Sequence, residues 1–270
     1  MAKRLEGMVD EFRNRPLDAG AYPYVWIDAL TQRGREGGRI VNVGTAIATG
    51  VNADGYRELL GMDVFTAEDG AAWTQFLRGL VARGRSGVRL VISDDHLGLK
   101  QAIAAVLPGA GWQRGRVHFV RNLLTRGPKS AGTLVATLVR SIFAQPDQEA
   151  VWAQHARMVD QLPQRFPEAA ARLAEAGPDL LAFTTFPREH WRQIWSHHPQ
   201  ERLNQEVRRR TDVVGIFPDR PAIVRLVGAV LAEPHDEWVV ARRHLSAESL
   251  KVAQMPADDE EVVPELAAVS

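Results

Sequence analysis

Apolar and polar positions change their period several times along this chain, and each change marks an element. Within residues 1–21, Leu5, Met8, Val9 and Phe12 recur at helical spacing, which predicts a short amphipathic helix closed by Arg15-Pro16. From Tyr24 the pattern tightens. YVWIDAL (24–30) is an apolar run of strand length with one carboxylate inside it, and GRIVNVGTAIATGVN (38–52) is rich in Val, Ile and Thr. ADGYRELLGMDVF (53–65) follows after an Asp-Gly turn signal, so three strands with short connections predict an antiparallel meander. Next, Trp73, Phe76, Leu77, Leu80 and Val81 give a helix over 73–84 with a closing glycine. VRLVISD (88–94) reads as a buried strand, LGLKQAIAAVLPG (97–109) as a helix and RVHFV (116–120) as a short strand.

From about 122 to 192 the periodicity is helical throughout, over 134–145, 149–162 and 167–177, with Pro or Gly between the segments. A further helix over 199–210 opens on a proline, well tolerated at the first helical position, and GIFPD ends it before another begins at 221. The first part therefore runs β-β-β-α-β-α-β, an α/β class with a mixed sheet and flanking helices. That is the strand order of the ribonuclease H-like fold, with an all-helical insertion before the late helix. The expected organisation is an N-terminal helix (1–21), a first core part (22–121), a helical insertion (122–192), a last core part (193–245) and a tail (246–270).

Composition narrows the classes of function. The 270 residues suffice for a substantial core, in one large domain or two small ones. The absence of cysteine excludes disulfides, zinc ribbons and thiol catalysis. No apolar run reaches the roughly 18 residues of a membrane span, and the charged start is unlike a signal peptide, so a soluble, cytoplasmic protein is expected. A formal net charge of zero weighs against a nucleic-acid partner. The charge is uneven, however. Arg114, Arg116, Arg121, Arg126 and Lys129 gather in one stretch and Arg208, Arg209 and Arg210 in another, while acids collect in the tail. A local basic groove can hold phosphates on a neutral chain.

Two carboxylates stand out. Asp28 interrupts an apolar run, where a charge is costly unless paired or metal-bound, although a strand with one solvated face would also carry it. Asp94 ends a strand just before a helix, a common place for ligand-binding residues, and Asp94 or Asp95 could equally cap that helix. In the expected fold the first and fourth strands lie side by side, bringing Asp28 and Asp94 together. Adjacent carboxylates repel unless a cation sits between them. Two Mg²⁺ ions (or Mn²⁺) about 3.5–4 Å apart are the usual agents of phosphodiester chemistry, and they need few protein ligands. A third acid is expected on the late helix, where Glu201, Asn204, Gln205 and Arg208 share a polar face opposite Leu203 and Val207. Glu206 competes for that role, and the helix dipole alone would favour an acid at Glu201. His118, Trp191 and Trp195 also read as packed core side chains, and Arg208–Arg210 as a solvated face.

YPYVWIDAL, GVNADGYRELLGMDV, GVRLVISDDHLGLKQAI, LPGAGWQRGRVHFVRNLL, FPREHWRQIWSHHPQERLNQEVRRRTDVVGIFP and LVGAVLAEPHDEW together resemble the bacterial insertion-sequence transposases of the Mutator superfamily. The resemblance covers roughly 20–245, and its long late motif is highly specific. It implies a ribonuclease H-like fold and a metal-binding catalytic trio matching Asp28, Asp94 and Glu201, which favours Glu201 over Glu206. There are departures. The family's Cys-x-x-His element reads Gly115-Arg-Val-His118, so only His118 remains, and the Asn before the late proline is His198, a poor helix cap, preceded by His197. The N-terminal DNA-binding region of the family is expected to be missing.

The function implied is a DNA transposase core that cleaves and rejoins phosphodiesters at insertion-element ends. The expected partners are double-stranded DNA, both element ends and target, and further copies of the chain in a dimer or larger complex at the nucleoid. Arg114, Arg116, His118, Arg121, Asn204, Arg208, Arg209 and Arg210 are the expected DNA contacts. A non-catalytic relic or regulator retaining fold and DNA or partner binding is the alternative, and a nuclease without strand transfer would use the same trio.

Overall fold

The computed structural model describes residues 2–66, 69–125, 132–164, 166–196, 198–240 and 243–254. Its centre is a mixed sheet in the order β3-β2-β1-β4-β5, with β6 pairing β1 off that path. The strands are β1 (Tyr24–Glu36), β2 (Arg39–Val51), β3 (Arg57–Phe65), β4 (Leu90–Ser93), β5 (Gly111–Arg114) and β6 (Ile216–Phe217). β1, β2 and β3 form the expected antiparallel meander, while β4 and β6 run parallel to β1 and β5 parallel to β4. β1 runs beyond its apolar half to Glu36, because Gly37 and Gly38, both at positive φ, close a tight two-residue hairpin that puts Glu36 opposite Arg39. β3 starts later than the sequence suggests. Asn52 Oδ1 accepts from the Asp54 and Tyr56 amides at 3.1 and 2.9 Å and holds 52–56 as a turn.

Helices cover both faces. On one, α2 (Gly70–Ala82) and α3 (Leu97–Val106) bury Trp73, Phe76, Leu77, Leu99 and Ile103 against Val25, Ile27 and Val91. On the other, Tyr24, Trp26, Leu90 and Ile92 meet a helical layer. That layer comprises α4 (Arg116–Leu124), α5 (Gly132–Phe143), α6 (Gln148–Gln161), α7 (Pro167–Leu180) and α8 (Trp191–Ile194). Beside it, α9 (His198–Thr211) and α10 (Arg220–Val240) close over Leu30, Ile47, Leu59 and Met62, joined by Phe12 of α1 (Ala2–Asn14).

Two expectations are corrected. Residues 116–120 are not a strand. The strand is Gly111–Arg114, and RVHFV begins α4, burying Phe119 and Leu123 one helical turn apart. Five residues are too few to separate alternation from the helical period, whereas 116–124 shows the latter. The expected tail also continues the core, because α11 (Ala247–Gln254) buries Leu250 and Ala253 in it. Residues 255–270 lie outside the described residues, as do Arg126, Lys129 and His197.

Candidate active site

β1 is the scaffold of the site. Its first three residues pair with β4 and Arg33 and Gly34 with β6, so β1 is left open along that edge from 27 to 32. Asp28 lies at the start of the opening, next along β1 after Tyr24 and Trp26 on the face covered by α9. Asp94 follows the last residue of β4, the neighbouring strand. The two acids come together, and each feels the other. Burial first, then the Asp94 charge, raises the Asp28 carboxyl to about 6, against the lowering pull of the Ala29 amide, His118 and Arg208.

Asp94 does not cap α3. His96 does so, its Nδ1 accepting from the Leu99 amide at 3.3 Å, and Asp95 pairs with Arg114 at 3.0 Å. Asp94 is thereby left to the site. Its Oδ2 accepts from Nδ1 of His118, in the first turn of α4, and this bond raises the imidazole above its ordinary range against burial. The other ring nitrogen of His118 lies 3.9 Å from Oε1 of Glu201 on α9. His118 therefore spans Asp94 and Glu201. The two side chains, 27% and 26% exposed, remain reachable by a ligand.

Asn204, one turn after Glu201, donates its amide to Asp28 Oδ2, while the Ala29 amide donates to Oδ1 at 2.8 Å. The Asn204 amide oxygen is buried and has no hydrogen-bond partner among the described residues. Leu203 and Val207 anchor the helix to the core, as their spacing predicts. Glu206 lies elsewhere. It accepts from Arg209 at 2.8 and 2.6 Å and from Arg210 at 2.9 Å, which pull its carboxyl down to about 2.

The structure thus gathers Asp28, Asp94, His118, Glu201 and Asn204, with Arg208 and Arg121 close enough to act on Asp28 and His118 respectively. Arg209 and Arg210 are instead engaged by Glu206. Arg116 lies over the rings of Trp195 and Phe143, with centroid distances of 4.6 and 5.0 Å, where Arg140 and Arg192 add to its positive field. Sequence reading missed Arg140 and Arg192, which stand alone in their segments and meet Arg116 only through folding. Trp191 and Trp195 are core, as expected.

The donors are carboxylates and an amide oxygen, the hard ligands that Mg²⁺ or Mn²⁺ prefers. Among the described residues no three His, Asp or Glu side chains converge closely enough to hold a metal by themselves. The Asp28–Asp94 pair and the bare Asn204 oxygen fit a small hard cation that keeps water or phosphate in its remaining positions. No helix among the described residues is long and apolar enough to cross a membrane.

A family model described as "Transposase, Mutator family" matches residues 1–241. The chain is 59% identical over 254 residues to the transposase for insertion sequence element IS1081 of Mycobacterium tuberculosis, covering 94% of this chain and 61% of that protein. It is 36% identical over 249 residues to the transposase for ISRM5 of Rhizobium meliloti, covering 92% and 62%. With the transposase for IS256 in transposon Tn4001 of Staphylococcus aureus it shares 38% identity over 245 residues, covering 90% and 63%. The chain thus spans about three-fifths of the length of these relatives. Among solved structures, the Drosophila P element transposase strand transfer complex aligns with 90% of this chain and 72% of that one. Its TM-score of 0.30 at 12% identity is too slight a likeness to carry an argument.

Proposed function

Since this chain belongs to the Mutator family of transposases, we propose that it is the core of a DNA-cutting and strand-transfer enzyme whose acids are Asp28, Asp94 and Glu201. The reading rests on one observation: Asp28 on β1 and Asp94 just past the end of the adjacent parallel strand β4 lie within each other's field at an opening that Glu201 overlooks from α9. The strand order and the late acid on a helix suit a ribonuclease H-like core, with 122–192 as its helical insertion.

In this reading water, then a freed 3′-hydroxyl of the element end, attacks a DNA phosphorus while the opposite 3′-oxygen leaves with the electron pair. Each exchange replaces one P–O bond by another, so no covalent protein–DNA intermediate is needed. Two Mg²⁺ or Mn²⁺ ions, held by Asp28, Asp94 and Glu201, would supply the Lewis acidity for attacking and leaving oxygens. Asn204 fixes the Asp28 carboxylate, and His118 orients Asp94 and keeps Glu201 close. Arg208 and Arg121, both exposed, offer guanidinium groups to the strand, and the Arg116 cluster offers a second phosphate contact. Two element ends must be held at once, which calls for a dimer or larger complex on double-stranded DNA.

Calorimetric titration of Mn²⁺ into the wild type and Asp94→Ala, with and without duplex DNA, tests this. Uptake in the wild type that is lost in the variant is the expected result. A wild type that takes up no metal even with DNA sinks the catalytic reading and leaves a fold that binds partners without chemistry.

A further inference from the structure

The first turn of α9 divides its surroundings. Glu201 reaches toward His118 and the acids, whereas the next residue, Arg202, lies in the field of Arg57 on β3. Arg57 shares the sheet face of Asp28, since Tyr24 pairs with Val51 and Val51 with Arg57. It is half-buried, and its Nε is buried without a hydrogen-bond partner among the described residues. One of its terminal nitrogens lies 2.9 and 3.1 Å from the two ring nitrogens of His244, and its guanidinium stands 5.8 Å from the Trp238 ring centroid. Among the described residues it forms no ion pair. Burial and Arg202 both act against its charge, and among the described residues no carboxylate offsets them. His244 adds no neutralising charge, because burial and Arg57 keep its ring uncharged. The exposed Arg243 sits beside the same turn, 5.6 Å over the Tyr56 ring.

A half-buried guanidinium with no counter-charge among the described residues, in the field of a second arginine, is costly unless an anion completes the site. Stacking on Trp238 holds the Arg57 group in place but leaves its Nε unsatisfied. Arginine's planar fork matches a phosphate. We propose that Arg57 and Arg202, flanked by Arg243, form a phosphate-binding pocket for the DNA strand engaged at Asp28 and Asp94. The proposal rests on the DNA reading above. The Arg57 row lies four residues along β1 and two strands across from Asp28, roughly 16 Å away at standard strand spacings. At 3.4 Å per nucleotide the contacted phosphate is about five base pairs from the one being cut.

The test is the salt dependence of duplex DNA binding by the whole chain, as wild type, Arg202→Gln, Arg57→Gln and Arg78→Gln, the last an exposed arginine on α2 behind the sheet. Loss of one phosphate contact lowers the slope of log K against log salt by about one. That loss is expected in Arg202→Gln and Arg57→Gln, with Arg78→Gln matching wild type. Slopes unchanged in both pocket variants overturn the pocket and leave the DNA reading standing. A wild type without DNA affinity overturns both. Arg202 is exposed, so its variant decides the matter even if Arg57→Gln fails to fold.

Discussion

Glu201 and Glu206 are five residues apart on α9, and their neighbours divide their roles. Glu206 is saturated by two arginines, whereas Glu201 looks across His118 toward Asp94. Glu201→Gln is therefore expected to weaken Mn²⁺ binding at least about tenfold, while Glu206→Gln leaves it within twofold. Equal effects in a calorimetric comparison would remove Glu201 from the site. Asp28 was legible because it is a lone acid within an apolar run, and Asp94 because it is the first acid to end one. Arg57 was not, because nothing in a strand sequence shows that its counter-charge is missing. Two histidines set the acid sensitivity. Burial leads in lowering both His190, which bridges the Tyr24 hydroxyl and Ser249 Oγ at 2.7 Å each, and His244, pushed down to about 3. The unfolded chain takes up these protons near 6.5 and the folded chain does not, so stability falls with pH from about 6.5 toward 3. Asp28, raised to about 6, works the other way between about 6 and 4, and so does His118 above about 6.5, where Asp94 holds its imidazole above the ordinary range. The urea midpoint should drop from pH 7.5 to pH 5, and less steeply in His244→Gln. An unchanged pH slope in that variant would show that His244 is not the source.

At the scale of elements, two glycines in neighbouring helices separate propensity from packing. A Cβ on Gly79 in α2 would meet nothing within 4 Å, whereas on Gly98 in α3 it would come within 2.9 Å of the Gly70 backbone nitrogen. Gly79→Ala should stabilise by up to about 1 kcal/mol through helix propensity alone. Gly98→Ala should cost about 1–3 kcal/mol, because α2 and α3 would have to separate. Urea unfolding checks both, and equal gains would mean that the helices are not held this closely. Long periodic elements such as α2, α6 and α9 could be read from sequence because one face of each is buried over several turns. The 111–120 region could not. GWQR has little apolar signal but pairs with β4 along its whole length, and RVHFV alternates briefly although its buried positions, Phe119 and Leu123, are helical. That error matters to the site, since His118 meets both Asp94 and Glu201 from a helical turn.

For the whole molecule, the acids come from positions 28, 94 and 201, on or beside β1, β4 and α9, so a cation among them would tie together parts of the chain that meet only in the folded state. The sheet order could be inferred from the alternation of strands and helices, and with it the meeting of Asp28 and Asp94. The seating of α9 depends on contacts no local pattern displays, such as Gln200 accepting from Thr49 Oγ1 at 2.8 Å deep in the core. A ligand that binds only the folded state stabilises it by RT ln(1 + [L]/Kd), about 2.7 kcal/mol at one hundred times Kd. For a chain of this size that raises the melting temperature by about 5–10 °C. Mn²⁺ should produce such a shift in the wild type, EDTA should reverse it, and Asp28→Ala and Asp94→Ala should show neither effect. A shift of equal size in both variants would mean that the cation stabilises the fold from somewhere other than the carboxylates. Loss of the shift in Asp94→Ala with retention in Glu206→Gln would tie the thermal effect to the same residues as the calorimetric one.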